Sequence, residues 1–276
     1  MRLVSYIHDG QVRSGVRVDD RVHELPRAMA IAATLAFGPE GLEGWADEPA
    51  VALADVRLLP PVPNPSKIIC IGLNYADHAA ETGQAAPTYP VLFPRWNTTL
   101  VAHGDPLLVP QASSQLDYEG ELVAVIGVGG RNIPLEEALD HVAGYSVFHD
   151  ASVRDFQRKT SQYTPGKNFD GTGGFGPELV TADELPPGAS GLHISTTIGG
   201  EVLQDSNTSN LIFDVAHLVE TISGVLTLEP GDLIVTGTPG GVGAARTPPR
   251  WMVPGEEVEV TIERIGTLRN PIEKGL

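Results

Sequence analysis

A mostly β fold with few helices, of the α+β class, is predicted by three observations on this 276-residue chain. Short apolar runs of strand length recur from Lys67 onward, 31 glycines and 23 prolines punctuate them, and one segment alone keeps a long helical period. At this length the core is ample without staples.

The elements follow in order. Strands at about 2–8 and 11–18 flank Asp9-Gly10, a hairpin signal. An alanine-rich helix is expected near 26–36 and another near 43–54. The stiff segment from Leu59 to Ser66, with four prolines, marks a boundary between a small N-terminal α+β domain (residues 1–62) and a larger domain (63–276). Strands are then expected at 67–72, 116–127, 144–149, 193–198, 232–236 and 257–264. The clearest helix is 210–224, where Leu211, Ile212, Val215, Leu218, Val219 and Ile222 repeat behind the cap-like Asn207-Thr208-Ser209-Asn210. His217 within it is read as structural. There is no internal repeat.

Composition excludes several function classes. Asp and Glu outnumber Lys and Arg by 35 to 18, a net charge of −17. That field repels nucleic acid and anionic lipid, but not a small anion held by a local metal. The single cysteine, Cys70, sits in an apolar run and reads as core. The N-terminus reads as strand and turn rather than a signal peptide, and no apolar run reaches membrane length. A soluble, cytoplasmic protein without nucleic-acid or membrane partners is expected.

The segment Leu116-Asp117-Tyr118-Glu119-Gly120-Glu121-Leu122-Val123-Ala124-Val125-Ile126 places two carboxylates where a strand buries hydrophobes. Side chains alternate, so Glu119 and Glu121 share a face with Val123 and Val125. Two desolvated like charges need a cation, most simply a divalent metal. Asp150, ending the strand before the helix expected at 151–159, is the candidate third ligand, although an acid there also suits a helix cap. The glutamate pair alone also suits a solvated edge strand. Three carboxylates without a Cys or His cluster favour Mg²⁺ or Mn²⁺, with Ca²⁺ also compatible, over Zn²⁺.

His78 and Glu81, three apart on a short helix after strand 67–72, form a base with an orienting acid, a pairing also common on plain surface helices. Arg154 and Gln157 project from one face of their helix. Lys167 lies in a loop between Pro-Gly and an aromatic residue. The run Thr236-Gly237-Thr238-Pro239-Gly240-Gly241-Val242-Gly243 offers backbone N–H groups and the Thr238 hydroxyl as an anion cradle, or simply a tight turn.

The succession Asn74-Tyr75-x-x-His78-x-x-Glu81, Asp117-Tyr118-Glu119-x-Glu121, Asp150 with Arg154-Asp155 and Gln157, Gly166-Lys167-x-Phe169, and Thr236-Gly237-Thr238-Pro239 resembles the fumarylacetoacetate hydrolase family over about residues 66–272. The resemblance implies a mixed β-sandwich roll, a homodimer and Mg²⁺ or Mn²⁺. It places Glu119, Glu121 and Asp150 as metal ligands and His78 and Glu81 as a water-activating pair on a mobile lid. Lys167 matches the active-site lysine, and Arg154, Gln157 and Thr238 match substrate-side positions. The implied activity is hydrolysis of the C–C bond of a 2,4-dioxo acid, an acylpyruvate or fumarylpyruvate of aromatic catabolism, through a pyruvate enolate at the metal site. The alternatives are an isomerase, decarboxylase or oxo-acid tautomerase using the same site. A reading of another class is a non-catalytic, metal-stabilised binding domain. Gly199-Gly200 and Tyr163 depart from the family's usual Asn-Gly and tryptophan.

Overall fold

The computed structural model describes residues 1–25, 31–36, 44–81 and 87–275, the side chains of Ala33, Ala36 and residues 78–80 excepted. Strands β1 (Arg2–His8) and β2 (Gln11–Val18) form the expected hairpin. Both turn residues, Asp9 and Gly10, have positive φ (50° and 74°), as a two-residue turn with the strands' own twist requires. After β3 (Arg21–Glu24), helix α1 (Ile31–Ala36) covers the second half of the alanine-rich segment. Residues 26–30 of that predicted helix lie outside the described residues.

The helix expected near 43–54 does not form over its described part. Strand β4 (Ala50–Ala52) pairs there with β3, flanked by single 3-10 turns at Trp45–Asp47 and Leu53–Asp55. Pro49 disfavours helix at the residue before it, and the free edge of β3 overrides alanine's helical preference. β5 (Arg57–Leu59) closes this unit.

The chain continues through β6 (Ile68–Gly72), α2 (Ala76–Glu81), β7 (Val91–Arg95), β8 (Leu100–Val101), β9 (Leu107–Val109), β10 (Leu116–Asp117), β11 (Gly120–Ile126), β12 (Val142–Asp150) and β13 (Ser152–Val153). Two one-turn helices follow, α3 (Arg154–Gln157) and α4 (Thr164–Lys167). Then come β14 (Gly173–Thr181), β15 (His193–Ile198), β16 (Glu201–Asn207), α5 (Val215–Val225), β17 (Leu233–Val235), β18 (Glu257–Ile262) and β19 (Gly266–Lys274).

A 12-stranded sheet runs β4-β3-β2-β1-β14-β12-β11-β17-β6-β7, with β5 on β1 and β8 on β14. The first five strands therefore extend the main sheet, through β1 on β14 at Arg2↔Val180 and Leu3↔Leu179. A second sheet runs β16-β15-β18-β19-β9. Alternation along β11 sorts the core. Leu122, Ala124 and Ile126 pack with Val215, Leu218 and Ile222 of α5 and with Ile194, Val260 and Ile262 of the second sheet. Val123 and Val125 pack on the other face with Ile68, Cys70, Phe148 and Phe175.

Several boundaries differ from the sequence reading. The segment 116–127 is not one strand but breaks at Tyr118-Glu119 between β10 and β11. The helix after Asp150 shrinks to α3, and Asp150 ends β12 instead of capping it, since Val153 occupies the cap position. α5 begins at Val215, capped by Asp214, whose Oδ1 accepts from the His217 N–H at 3.0 Å, while Asn207 caps the preceding 3-10 turn. His217 is exposed at this cap and does not line the cavity described below. β14 is absent from the sequence reading because glycine and proline normally weaken strands. Here glycine serves a close approach: a Cβ on Gly174 would come within 2.8 Å of Asn270 Oδ1 from β19.

Candidate active site

The end of β12 and the β10–β11 break face each other because β12 pairs with β11 at Gly120↔His149. Beyond that pair, the Asp150 N–H donates to the Glu119 carbonyl at 2.9 Å. The register brings the side chains of Glu119, Glu121 and Asp150 together, each offering an oxygen within 4.8 Å of the others, and all three are buried.

Part of this charge is neutralised by the chain itself. Lys167 Nζ donates to Glu119 Oε2 at 2.6 Å and to Asp150 Oδ2 at 2.5 Å. Arg154 Nη2 donates to Glu119 Oε1, and Arg95 Nη1 to Asp150 Oδ1. Burial works against the Lys167 charge, but Asp150 and Glu119 outweigh it and hold the ammonium above its ordinary range. Burial likewise opposes the Arg154 charge, and Glu119 and Asp117 more than restore it.

Glu121 differs from its neighbours. Among the described residues no side-chain cation lies within ion-pair distance of it, and the Gly237 N–H donates to its Oε2 at 2.6 Å. Burial first, then the charges of Asp150 and Glu119, push its carboxyl well above the ordinary carboxylate range. A carboxylate this short of positive charge, aimed at two others, fits a divalent cation among the three. An all-oxygen donor set suits a hard ion such as Mg²⁺ or Mn²⁺.

A cavity of about 540 Å³ opens over this floor. Glu81, Glu119, Glu121, Asp150, Arg154, Gln157, Lys167 and Thr238 all line it. His78 has its backbone on α2, and its side chain lies outside the described residues. Lys167 is buried at the end of α4 rather than in a solvated loop. Two short helices position it, because α4 packs so tightly on α3 that a Cβ on Gly166 would lie 2.5 Å from Gln157 Cα. Gln157 Oε1 accepts from Arg154 Nη1 at 2.8 Å, which leaves its amide N–H₂ for the cavity. His149 is buried, does not line the cavity, and is pushed down to about 3 by burial and then by Arg95.

The glycine-rich run does not act as an open cradle for an anion. Its N–H groups are taken by the protein's own carboxylates: Gly237 by Glu121 (2.6 Å), Gly240 by Asp77 (3.2 Å), Gly241 by Glu81 (3.0 Å) and Gly243 by Asp117 (2.7 Å). Thr238 Oγ1 is committed as well, donating to the Gly120 carbonyl at 3.1 Å and accepting from Gln204 Nε2 at 2.8 Å. The run thus ties α2, β11 and the 116–119 segment into one frame around the cavity.

Four residues to which the sequence reading gave no role build this frame, two of them, Asn74 and Asp117, quoted there only as motif positions. Arg95 is wholly buried against Asp150, with Nη2 donating to Thr172 Oγ1 at 2.7 Å. Asp117 accepts from Arg154 Nε at 2.7 Å and from the Gly243 and Ala244 N–H groups. Gln204 accepts from the Gly120 N–H at 2.9 Å, and Asn74 Nδ2 donates to the Thr236 and Phe213 carbonyls at 2.8 and 2.9 Å. Arg95, at the end of the apolar run Val91–Arg95, carried a signal of its own, a charge closing a strand-like segment.

The likeness to known proteins is extensive. Residues 67–273 match the family described as fumarylacetoacetate (FAA) hydrolase C-terminal. The chain is 43% identical over 242 residues to the oxaloacetate tautomerase YisK of Bacillus subtilis (strain 168), covering 84% of this chain and 80% of that protein. It superposes on a fumarylacetoacetate hydrolase from the psychrophile Exiguobacterium antarcticum with a TM-score of 0.90, 35% identity and full coverage of both chains. A 5-carboxymethyl-2-hydroxymuconate delta-isomerase from Mycobacterium smegmatis matches with a TM-score of 0.84, 35% identity and full coverage of both. Family match, fold and carboxylate triad agree, and the chain belongs to the fumarylacetoacetate hydrolase family.

Proposed function

We propose that this enzyme is a divalent-metal-dependent tautomerase or isomerase of a small 2-oxo acid, with oxaloacetate the first substrate to test. The reading of the sequence led with hydrolysis of a 2,4-dioxo acid. The tautomerase relative and the isomerase structure favour the alternative that shares its site. The single observation that carries an enol-forming site is Glu121, a buried carboxylate short of cations beside an ammonium group, Lys167, that is already in place.

Glu119, Glu121 and Asp150 would hold Mg²⁺ or Mn²⁺, which supplies Lewis-acid polarisation of a 2-oxo carbonyl. The rest falls to the chain. The Lys167 ammonium, fixed by Glu119 and Asp150, stabilises negative charge developing on the substrate's O2. The Gln157 amide, its oxygen tethered to Arg154, donates to a substrate oxygen and orients it. His78, three residues before Glu81 on α2, takes the proton from C3 of the keto form and delivers one to O2, giving the enol, and the reverse direction returns it to C3. Tautomerisation moves one proton from C3 to O2 and consumes no co-reactant, whereas hydrolysis adds a positioned water.

Metal-loaded protein given oxaloacetate in its enol form should speed the approach to keto–enol equilibrium, seen as a change of enol absorbance without release of pyruvate or CO₂, and chelator should abolish it. The second reading, hydrolysis, rests on the pairing of His78 with Glu81 and on the name of the Exiguobacterium structure. Faster cleavage of acetylpyruvate to pyruvate and acetate than oxaloacetate interconversion would replace the first reading with the second.

A further inference from the structure

The cations lining the cavity are not alike. Arg154 is spent on Asp117, Glu119 and Gln157, and Lys167 on Glu119 and Asp150. Arg158 also lines the cavity, yet among the described residues its side chain has no ion pair, hydrogen bond or ring contact. It is exposed at the mouth, beside the exposed Thr160 and Ser161.

Its placement is fixed by the backbone. The Arg158 N–H donates to the Arg154 carbonyl at 3.1 Å and closes the single turn of α3. Residues four apart share a helix face, so Arg158 leaves α3 on the side from which Arg154 reaches the floor. The next cation, Lys159, is turned onto the Phe156 ring, with Nζ 3.3 Å from its centroid. One free guanidinium is thereby presented at the mouth of the cavity whose floor the carboxylates form.

Charge defines what it would receive. The chain carries −17 overall, and the cavity adds Glu81 to its three buried carboxylates. A substrate with a second carboxylate needs a local cation at its far end. A neutral acyl tail would strip hydration from Arg158 and return nothing. We propose that Arg158 receives the distal carboxylate of the substrate, so that the enzyme selects short 2-oxo dicarboxylates over 2-oxo monocarboxylates. This rests on the 2-oxo acid reading above and narrows its substrate class.

Oxaloacetate and 2-oxobutyrate have the same chain length and differ by a carboxylate in place of a methyl group. Calorimetric titration of both into metal-loaded wild-type, R158Q and R158K protein tests the assignment. Wild type should bind oxaloacetate about 10-fold or more tightly than 2-oxobutyrate, as a charge-assisted pair predicts. R158Q should erase that preference and leave the 2-oxobutyrate Kd unchanged, and R158K should retain part of it. Equal affinity in wild type, an unchanged oxaloacetate Kd in R158Q, or equal weakening of both ligands would overturn the assignment. The absorbance assay separates the two claims. A preference lost in R158Q without any wild-type acceleration of keto–enol exchange rejects the tautomerase and keeps Arg158. Acceleration with no Arg158-dependent preference does the reverse.

Discussion

Two groups of carboxylates border the cavity, and they are held in opposite ways. Glu119, Glu121 and Asp150 stand on the strands and breaks of the main sheet, 4%, 1% and 0% exposed; Lys167, Arg154 and Arg95 meet Glu119 and Asp150, and the Gly237 N–H meets Glu121. Asp77 and Glu81 ride on the six-residue α2, exposed, and meet the N–H groups of Gly240 and Gly241, with the Ser206 hydroxyl also on Asp77 at 2.8 Å. In the floor, low dielectric makes each missing partner expensive and fixes the charges in place. In the clasp, water can replace each of these exposed bonds at little penalty.

The largest expected effect falls on the floor. Lys167→Met removes the cation shared by Glu119 and Asp150, and breaking such a buried pair costs about 3–5 kcal/mol. Urea unfolding should show that loss, and turnover should vanish with it. Retained stability would mean that Lys167 is not the charge holding the floor together.

Glu121→Gln should separate function from folding. Turnover should fall about 100-fold or more, since about 2.7 kcal/mol of barrier is a modest share of a Lewis acid's contribution. The chelated protein should not be destabilised, because a carboxylate repelled by two others becomes a neutral amide. The pH dependence has a definite sign. The Glu121 pKa is raised in the folded state, so between the ordinary carboxylate pKa and the raised value the folded protein binds more protons than the unfolded chain. Stability of the chelated wild type should therefore fall as pH rises through that window, and Glu121→Gln should remove that component of the slope.

Metal removal tests the same contrast from outside. Binding at 100 times Kd stabilises the folded state by about 2.7 kcal/mol, so adding chelator should lower Tm in wild type and leave Glu121→Gln nearly unmoved. The smallest effect is expected at the clasp. Asp77→Asn should raise KM a few-fold with Tm unchanged, because a water replaces an exposed hydrogen bond. A loss of Tm comparable to that of Lys167→Met would show that the clasp is part of the floor's framework.

The sequence was most readable where charge breaks a hydrophobic pattern. Glu119 and Glu121 stood out because an apolar strand has no local use for them, and Cys70 and the Asp9-Gly10 turn followed equally local rules. Local rules failed where a neighbour decided the outcome. β14 contains glycine and proline, yet it is central in the sheet because β12 and β1 pair with its two edges. The glycine-rich run read as a cradle because its N–H groups were visible in the sequence, while the carboxylates that fill it lie more than a hundred residues away, at |i−j| of 116 for Glu121 and 160 for Glu81.

By itself the sequence determined the class of the fold and the glutamate pair of the floor, because those follow from alternation, punctuation and the cost of burying like charges, while Asp150 and the residues around them were assigned by the family resemblance. The tertiary structure alone decided which cation meets which acid. Arg95 reaches Asp150 across 55 residues from β7, which pairs with β6, and Asp117 reaches Arg154 across 37, where the register of β10 on β13 brings the two segments together. Register is a property of the assembled sheet. Arg158 stays free at the cavity mouth, whereas the other described cations lining the cavity, Arg154 and Lys167, are engaged.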